Sequence, residues 1–251
     1  MNIHKPIQTA FFFGNSVAAP APAILVVLAI LLAAHISGPF KKAHAEVVKY
    51  GALELNIISP VGFVDSETIS PCLIETNREQ TGLGEAILKV YLPERLSQLY
   101  AAGRYDAMSR QVAIYGQQTP KGDFDRQGLE LMHKSLEGAF SGYLNAADSN
   151  RLNRSNLEAL LQDAAAKGQS LLVEKVASDN AIGYLTLLVY PKGEDGYLLT
   201  AVCTNLVLAK DIILFVTASS LILDGSMSSH ILWVRGTAEA FADMLVSANK
   251  I

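Results

Sequence analysis

The stretch Leu171–Ser219 reads LLVEKVASDNAIGYLTLLVYPKGEDGYLLTAVCTNLVLAKDIILFVTAS, and its punctuation decides the fold. Four apolar runs, Leu171–Ala177, Ile182–Tyr190, Tyr197–Ala209 and Ile212–Ser219, are separated by Ser178-Asp179-Asn180, by Lys192-Gly193-Glu194-Asp195-Gly196 and by Lys210-Asp211. A parallel crossover needs about a dozen residues, so connections this short make consecutive strands antiparallel neighbours. The expectation is a four-strand meander.

Helical spacing appears on both sides of it. Upstream, Ser155-Asn156-Leu157-Glu158 reads as a capping box, in which the serine hydroxyl and the glutamate carboxylate satisfy free N–H groups at a helix start. Gly168 supplies the left-handed stop. An earlier helix is expected from near Asp123, with Leu129, Met132, Leu136, Phe140 and Tyr143 on one face. Downstream, Asp224-Gly225-Ser226 precedes a closing helix whose buried face is Ile231, Val234, Ala238, Phe241 and Leu245. Further back, residues 52–60 alternate as a strand, Val61-Gly62-Phe63 reads as a turn, and Ala86–Leu92 is a strand stopped by Pro93. Pro93 also suits the first turn of a helix carrying Leu96, Leu99 and Tyr100, after which Tyr105–Tyr115 returns as a strand. The order predicts an α+β fold: an antiparallel sheet packed with helices, an α/β/α sandwich, in a single domain over residues 46–251.

Residues 1–45 form a different segment. Ala23–Ala34 is twelve apolar residues without a break, and no charged residue lies between Lys5 and Lys41. That length suits the apolar core of a signal peptide. Ala43-His44-Ala45 places small residues where a signal peptidase reads, making Glu46 the first residue of the mature chain. Left uncleaved, residues 17–36 span a bilayer as a single anchor. Both readings make this an exported protein, periplasmic or held at the inner membrane, although Lys41, Lys42 and Lys49 lean an uncleaved anchor slightly towards a cytoplasmic domain.

Residues 1–45 carry Lys5, Lys41 and Lys42 and no acid, which leaves all 24 acidic side chains and 17 of the 20 Lys and Arg in residues 46–251, a net charge of −7 there. A chain so acidic, without clustered Lys and Arg, is not a binder of phosphate backbones, so no nucleic acid is expected as a partner.

Chemistry is sparse. The domain holds two histidines, His133 and His230, each at the edge of an apolar helix face. No His-x-x-x-His or Cys-x-x-Cys pair suggests a metal, and no cofactor is expected. Ser226, Ser228 and Ser229 stand near His230 and Asp224, the residue types of a hydrolase, yet Gly-x-Ser-x-Gly is absent and serines before a helix serve as caps. Ser226, Ser229 and His230 are therefore the alternative catalytic site. Cys72 and Cys203 form one disulfide if the domain is exported, closing a loop of about 130 residues. Otherwise Cys203 is a small buried hydrophobe. Trp233, the only tryptophan, falls about 120° from the centre of the closing helix's apolar face. It packs on a neighbouring loop or anchors a partner.

The Pro60-Val61-Gly62-Phe63 turn, Leu206-Val207-Leu208-Ala209-Lys210 in the meander, and a closing helix with Trp233 and Ala248-Asn249 together resemble the PsbP-like α/β/α sandwich of exported bacterial proteins of unknown role. The resemblance covers residues 52–251. It implies a fold and a binding or assembly role, and assigns no functional residue. The sequence thus points first to a non-catalytic envelope domain that binds or stabilises another envelope component. A hydrolase using the Ser226–His230 region and a small-ligand carrier are the alternatives.

Overall fold

The computed structural model describes residues 44–69, 85–102, 104, 109–117, 124–137, 142–143, 154–167, 170–178, 181–192, 196–223 and 227–250. Residues from Lys42 onward form one compact unit. The meander is present as read: β7 (Ser170–Ala177), β8 (Ala181–Pro191), β9 (Tyr197–Ala209) and β10 (Ile212–Ile222) pair antiparallel in sequence order. Lys210 and Asp211 both take positive φ, 49° and 59°, the two-residue turn whose twist suits a hairpin. That turn also holds its surroundings, since the Phe124 N–H donates to Asp211 C=O at 3.0 Å and Lys210 Nζ to Glu54 C=O at 2.5 Å.

The meander is the middle of a wider sheet. β3 (Phe63–Asp65), β4 (Glu85–Pro93) and β5 (Arg110–Gln117) extend it beyond β10, and β6 (Gly142–Tyr143) closes the other edge, giving the order β3-β4-β5-β10-β9-β8-β7-β6. Among the described residues, only the two-residue β6–β7 pair is parallel. It is joined through α3 (Arg154–Lys167), a connection of the length that a parallel crossover needs. A separate hairpin, β1 (His44–Tyr50) and β2 (Leu53–Ser59), stands outside the sheet.

Helices cover both faces. α4 (Met227–Ala248) and α3 bury Val234, Ala238, Phe241, Leu245, Leu161 and Ala164 with the odd-numbered residues of β8 and β9, and Leu55 and Ile57 of β2 join the same core. α2 (Arg126–Glu137) covers the other face with Leu129, Met132 and Leu136 over Ile182, Leu206 and Ile213. Between the two layers β8 is buried at every position from Ala181 to Leu187, so its apolar run is continuous rather than alternating. The expected α+β class, with an antiparallel sheet packed with helices, is therefore observed.

Several local expectations need correction. Residues 44–50 form β1, an element not expected from the sequence; its first two residues, His44 and Ala45, read as the end of the export segment, stand opposite Ser59 and Ile58. Phe63, read as part of a turn, begins β3. α2 ends at Glu137, and Tyr143 belongs to β6. α3 begins at Arg154, so Ser155 stands inside its first turn rather than at the half-in cap position. Residues 17–36, Ala43, Cys72 and Ser226 lie outside the described residues. Among those described, no helix is long and apolar enough to cross a membrane.

The end of α4 is closed by Asn249. Its Nδ2 donates to Leu245 C=O and Asn56 C=O, both at 2.8 Å, while its Oδ1 accepts the Asn56 N–H at 2.9 Å. One buried carboxamide thus caps the helix and pairs with β2 as a neighbouring strand would. Asn249→Ala leaves three backbone groups unpaired and is expected to cost about 2 kcal/mol, read as a lower urea midpoint with an unchanged slope.

Candidate functional site

β5 and β10 place Arg110 directly opposite Ser220, and both side chains project to the face that carries Val112, Ile114, Val216 and Ala218. The first turn of α4 lays His230 over this end of the sheet. Its Nδ1 lies 2.8 Å from Ser220 Oγ, and the same oxygen accepts from Arg110 Nε at 3.2 Å. A serine hydroxyl has one proton and two lone pairs. Ser220 Oγ and His230 Nδ1 are joined by one hydrogen bond whose donor is set by the imidazole tautomer, and a lone pair of Ser220 is spent on the guanidinium. The Arg110 guanidinium lies over the Trp233 ring, 4.9 Å from its centroid, and Trp233 is backed by Phe63 at 6.4 Å.

These groups line a cavity of about 460 Å³. One wall is the end of β4 and the start of α1 (Glu94–Ala101), with Pro93, Arg95, Leu96 and Leu99. Ser109 and Arg110, Leu221 and Leu223, and Ser229 and His230 line it as well. Among the described residues no carboxylate lines it, although the domain is acidic. Among the described residues, neither Arg95 nor Arg110 is paired with a carboxylate. The volume falls within the roughly 300–1,000 Å³ of small-ligand sites.

Of the residues singled out in the sequence, the structure brings Ser229 and His230 to this cavity and Trp233 beneath its arginine. Trp233 packs, half-buried, on Phe63 and Arg110. Sequence reading missed Arg110 and Ser220. Their signal is their place at opposite ends of paired strands, which shows only once the register is known. Ser220 is fully buried, and its oxygen is engaged on two sides. The geometry therefore fixes Arg110 and offers no open nucleophile at that serine.

The other candidates lie elsewhere. His133 stacks on Tyr184 on the α2 side, ring centroids 4.3 Å apart, and the Tyr184 hydroxyl donates to the His133 carbonyl. Burial holds the His133 pKa below its usual value. Cys203 is fully buried on the α4 face with no disulfide partner among the described residues, and burial pushes its pKa up to about 12. Folded protein is expected to leave Cys203 unalkylated by iodoacetamide, and denatured protein to label it without a reducing agent. Labelling only after reduction would instead mean that Cys203 is held in a disulfide.

A second cavity, about 260 Å³, is lined by Glu46, Ser59, Phe63, Val64, Asp65, Thr68 and Tyr91. Beside it Lys89 Nζ meets Asp65 at 2.6 Å, Glu46 at 2.9 Å and Glu67 at 3.0 Å. Burial alone would lower the Lys89 pKa, but hydrogen bonds to Asp65, Glu46 and Glu67 outweigh it and hold the pKa above the usual lysine range. Among the described residues, no group of three or more His, Cys, Asp and Glu is placed to hold a metal ion.

No protein-family model matches the chain, and no curated protein matches it. Among solved structures, the Ran-binding protein Mog1p of Saccharomyces cerevisiae is similar at 12% identity, covering 82% of this chain and 95% of that one, with a TM-score of 0.35.

Proposed function

We propose that residues 46–251 are a non-catalytic binding domain of the cell envelope, and that the cavity between α1 and α4 receives the component it binds. The observation that carries this reading is the lining: among the described residues, two arginines, a histidine and four leucines with no acid, in a domain of net charge −7. Basic groups collected at a concave site in an acidic domain favour one sign of ligand through a focused local field. Export rests on the apolar run Ala23–Ala34 and the Ala43-His44-Ala45 site. The PsbP-like resemblance belongs to the same proposal and adds a fold, not chemistry.

Native mass spectrometry of the chain recovered from cells tests the reading. A retained molecule that Arg110→Gln loses is the supporting result. Turnover of a substrate by purified protein, abolished by His230→Ala, would overturn it. The same sample, alkylated and weighed intact, reports on export: loss of residues 1–45 supports it.

A hydrolase using the Ser226–His230 region is the second reading, favoured by the place of Ser229 beside His230 in the cavity wall. A serine-directed covalent probe separates the two. Labelling of Ser226 or Ser229 supports the hydrolase, and absence of labelling leaves the binding domain.

A further inference from the structure

We infer that the cavity between α1 and α4 binds an anionic amphiphile: one carboxylate or phosphate head held by Arg110 and Arg95, with its apolar chain laid along the leucines. The inference rests on the binding reading above and assigns the class of ligand.

The head is specified by Arg110. Its Nε is committed to Ser220 and its ring-like plane to Trp233, so the guanidinium is held in one orientation before any ligand arrives. The two Nη groups bond no described residue. A planar fork with fixed orientation is the group that suits two-point recognition of a carboxylate or phosphate. Holding it in place beforehand removes an ordering cost from binding. Arg95, on the facing wall, adds a second positive charge. The first turn of α4, which supplies Ser229 and His230, is the positive end of a helix dipole and works in the same direction.

The tail is specified by Leu96, Leu99, Leu221 and Leu223. Leu99 and Leu223 are 39% and 59% exposed, so the wall continues as apolar surface from the charged end to solvent. A ligand with a head alone would leave these leucines wet, and a wholly apolar ligand would bury two guanidinium groups without a partner. A molecule with both parts satisfies the described lining.

The sole tryptophan gives a built-in reporter, because Trp233 lies under the guanidinium that takes the head. The experiment titrates the full chain with hexanoate, hexyl phosphate, hexanol and hexylamine, following Trp233 emission and, independently, heat by calorimetry. Hexanoate or hexyl phosphate is expected to bind and to shift the emission, while hexanol binds weakly and hexylamine not at all. The preferred anion of the two identifies the source, a free fatty acid or a phosphate-headed lipid. Along butanoate, hexanoate and octanoate, affinity is expected to rise about threefold to fourfold per methylene until the leucine wall ends.

Arg110→Gln is expected to weaken anion binding at least tenfold. Arg95→Gln changes an exposed side chain that does not touch Trp233, and is expected to weaken binding less, without altering the emission of the free protein. Equal response to hexylamine and hexanoate, or wild-type affinity in both arginine variants, would overturn the inference. So would the absence of heat with either anion. If the anions fail while a molecule retained from cells still depends on Arg110, the ligand class falls and the binding reading stands.

Discussion

Replacing Lys89 by Met is expected to cost about 3–5 kcal/mol of stability, far more than the loss of a surface ion pair. Lys89 is only 4% exposed, and its three partners are unequal: Asp65 has 16% of its side chain exposed, whereas Glu46 and Glu67 have about half. The two glutamates are hydrated and screened, so their pairs contribute little. Asp65 is different. It sits 2.6 Å from the ammonium, and without Lys89 its carboxylate stays largely buried with no counter-charge.

The double variant Lys89→Met, Asp65→Leu is therefore expected to recover much of the loss, because removing both charges avoids the stranded one. A double-mutant cycle from urea midpoints measures the coupling. No recovery would mean that Lys89 acts through its packed stem. The pH dependence follows from the direction of the shift. The Lys89 pKa is raised on folding, so its contribution is fully present below the unfolded value of about 10.4 and is lost as pH rises through the folded value. Tyr91 shifts the same way, through burial first and Asp65 second, so it remains protonated when the unfolded chain would ionise. Both effects remove stability on the alkaline side, and Lys89→Met is expected to flatten that limb while leaving the neutral plateau lower.

The origin of this cluster shows what a sequence can and cannot reveal. The apolar run Ala86–Leu92, stopped by Pro93, predicts the strand, but the register slips between Ile87 and Lys89, where one extra residue enters β4. That bulge turns Lys89 and Tyr91 to the α4 face and puts Ile87 and Val90 together on the other. Alternation read along one strand contains no sign of it, because a bulge is defined only against its partner.

The same reason separates the parts of the candidate site. The meander was legible because its separators are too short for any other pairing, and the α4 face because Val234, Ala238, Phe241 and Leu245 repeat within one element. His230 and Ser229 were found by proximity along the chain. Ser220 and Arg110 were not, being 110 residues apart and joined only by the β5–β10 register. A search for a serine near His230 stops at Ser226–Ser229, whereas the serine that meets it lies ten residues earlier, across a turn of the chain. β1 was lost for another reason: it straddles the boundary drawn at Glu46 between export segment and domain, and only pairing with β2 makes it a strand.

Gly183→Ala is expected to destabilise the domain by more than 3 kcal/mol, because the space its side chain would need is filled by backbone. Gly183 sits in β8 opposite Asn205 of β9. A Cβ there would collide with the Thr204 carbonyl oxygen and stand 2.5 Å from Asn205 Oδ1 and 2.9 Å from Asn205 Cα. Side chains can turn away, but a carbonyl and a Cα in a central ladder move only if the strands part, and β8 is packed on both faces. The pair has a second consequence. Asn205 is fully buried, and neither its Oδ1 nor its Nδ2 has a partner among the described residues, a cost of about 1–3 kcal/mol. Its carboxamide occupies the space that glycine leaves open. Asn205→Val removes the unpartnered group and suits a strand, so it is expected to raise stability by about 1 kcal/mol, read as a higher thermal midpoint. Asn205→Val combined with Gly183→Ala is expected to relieve only the contact with Oδ1, since the Thr204 carbonyl remains. Full rescue would show that the side chain, not the backbone, excludes a Cβ at position 183, and a loss of stability in Asn205→Val alone would show that the carboxamide is satisfied by water.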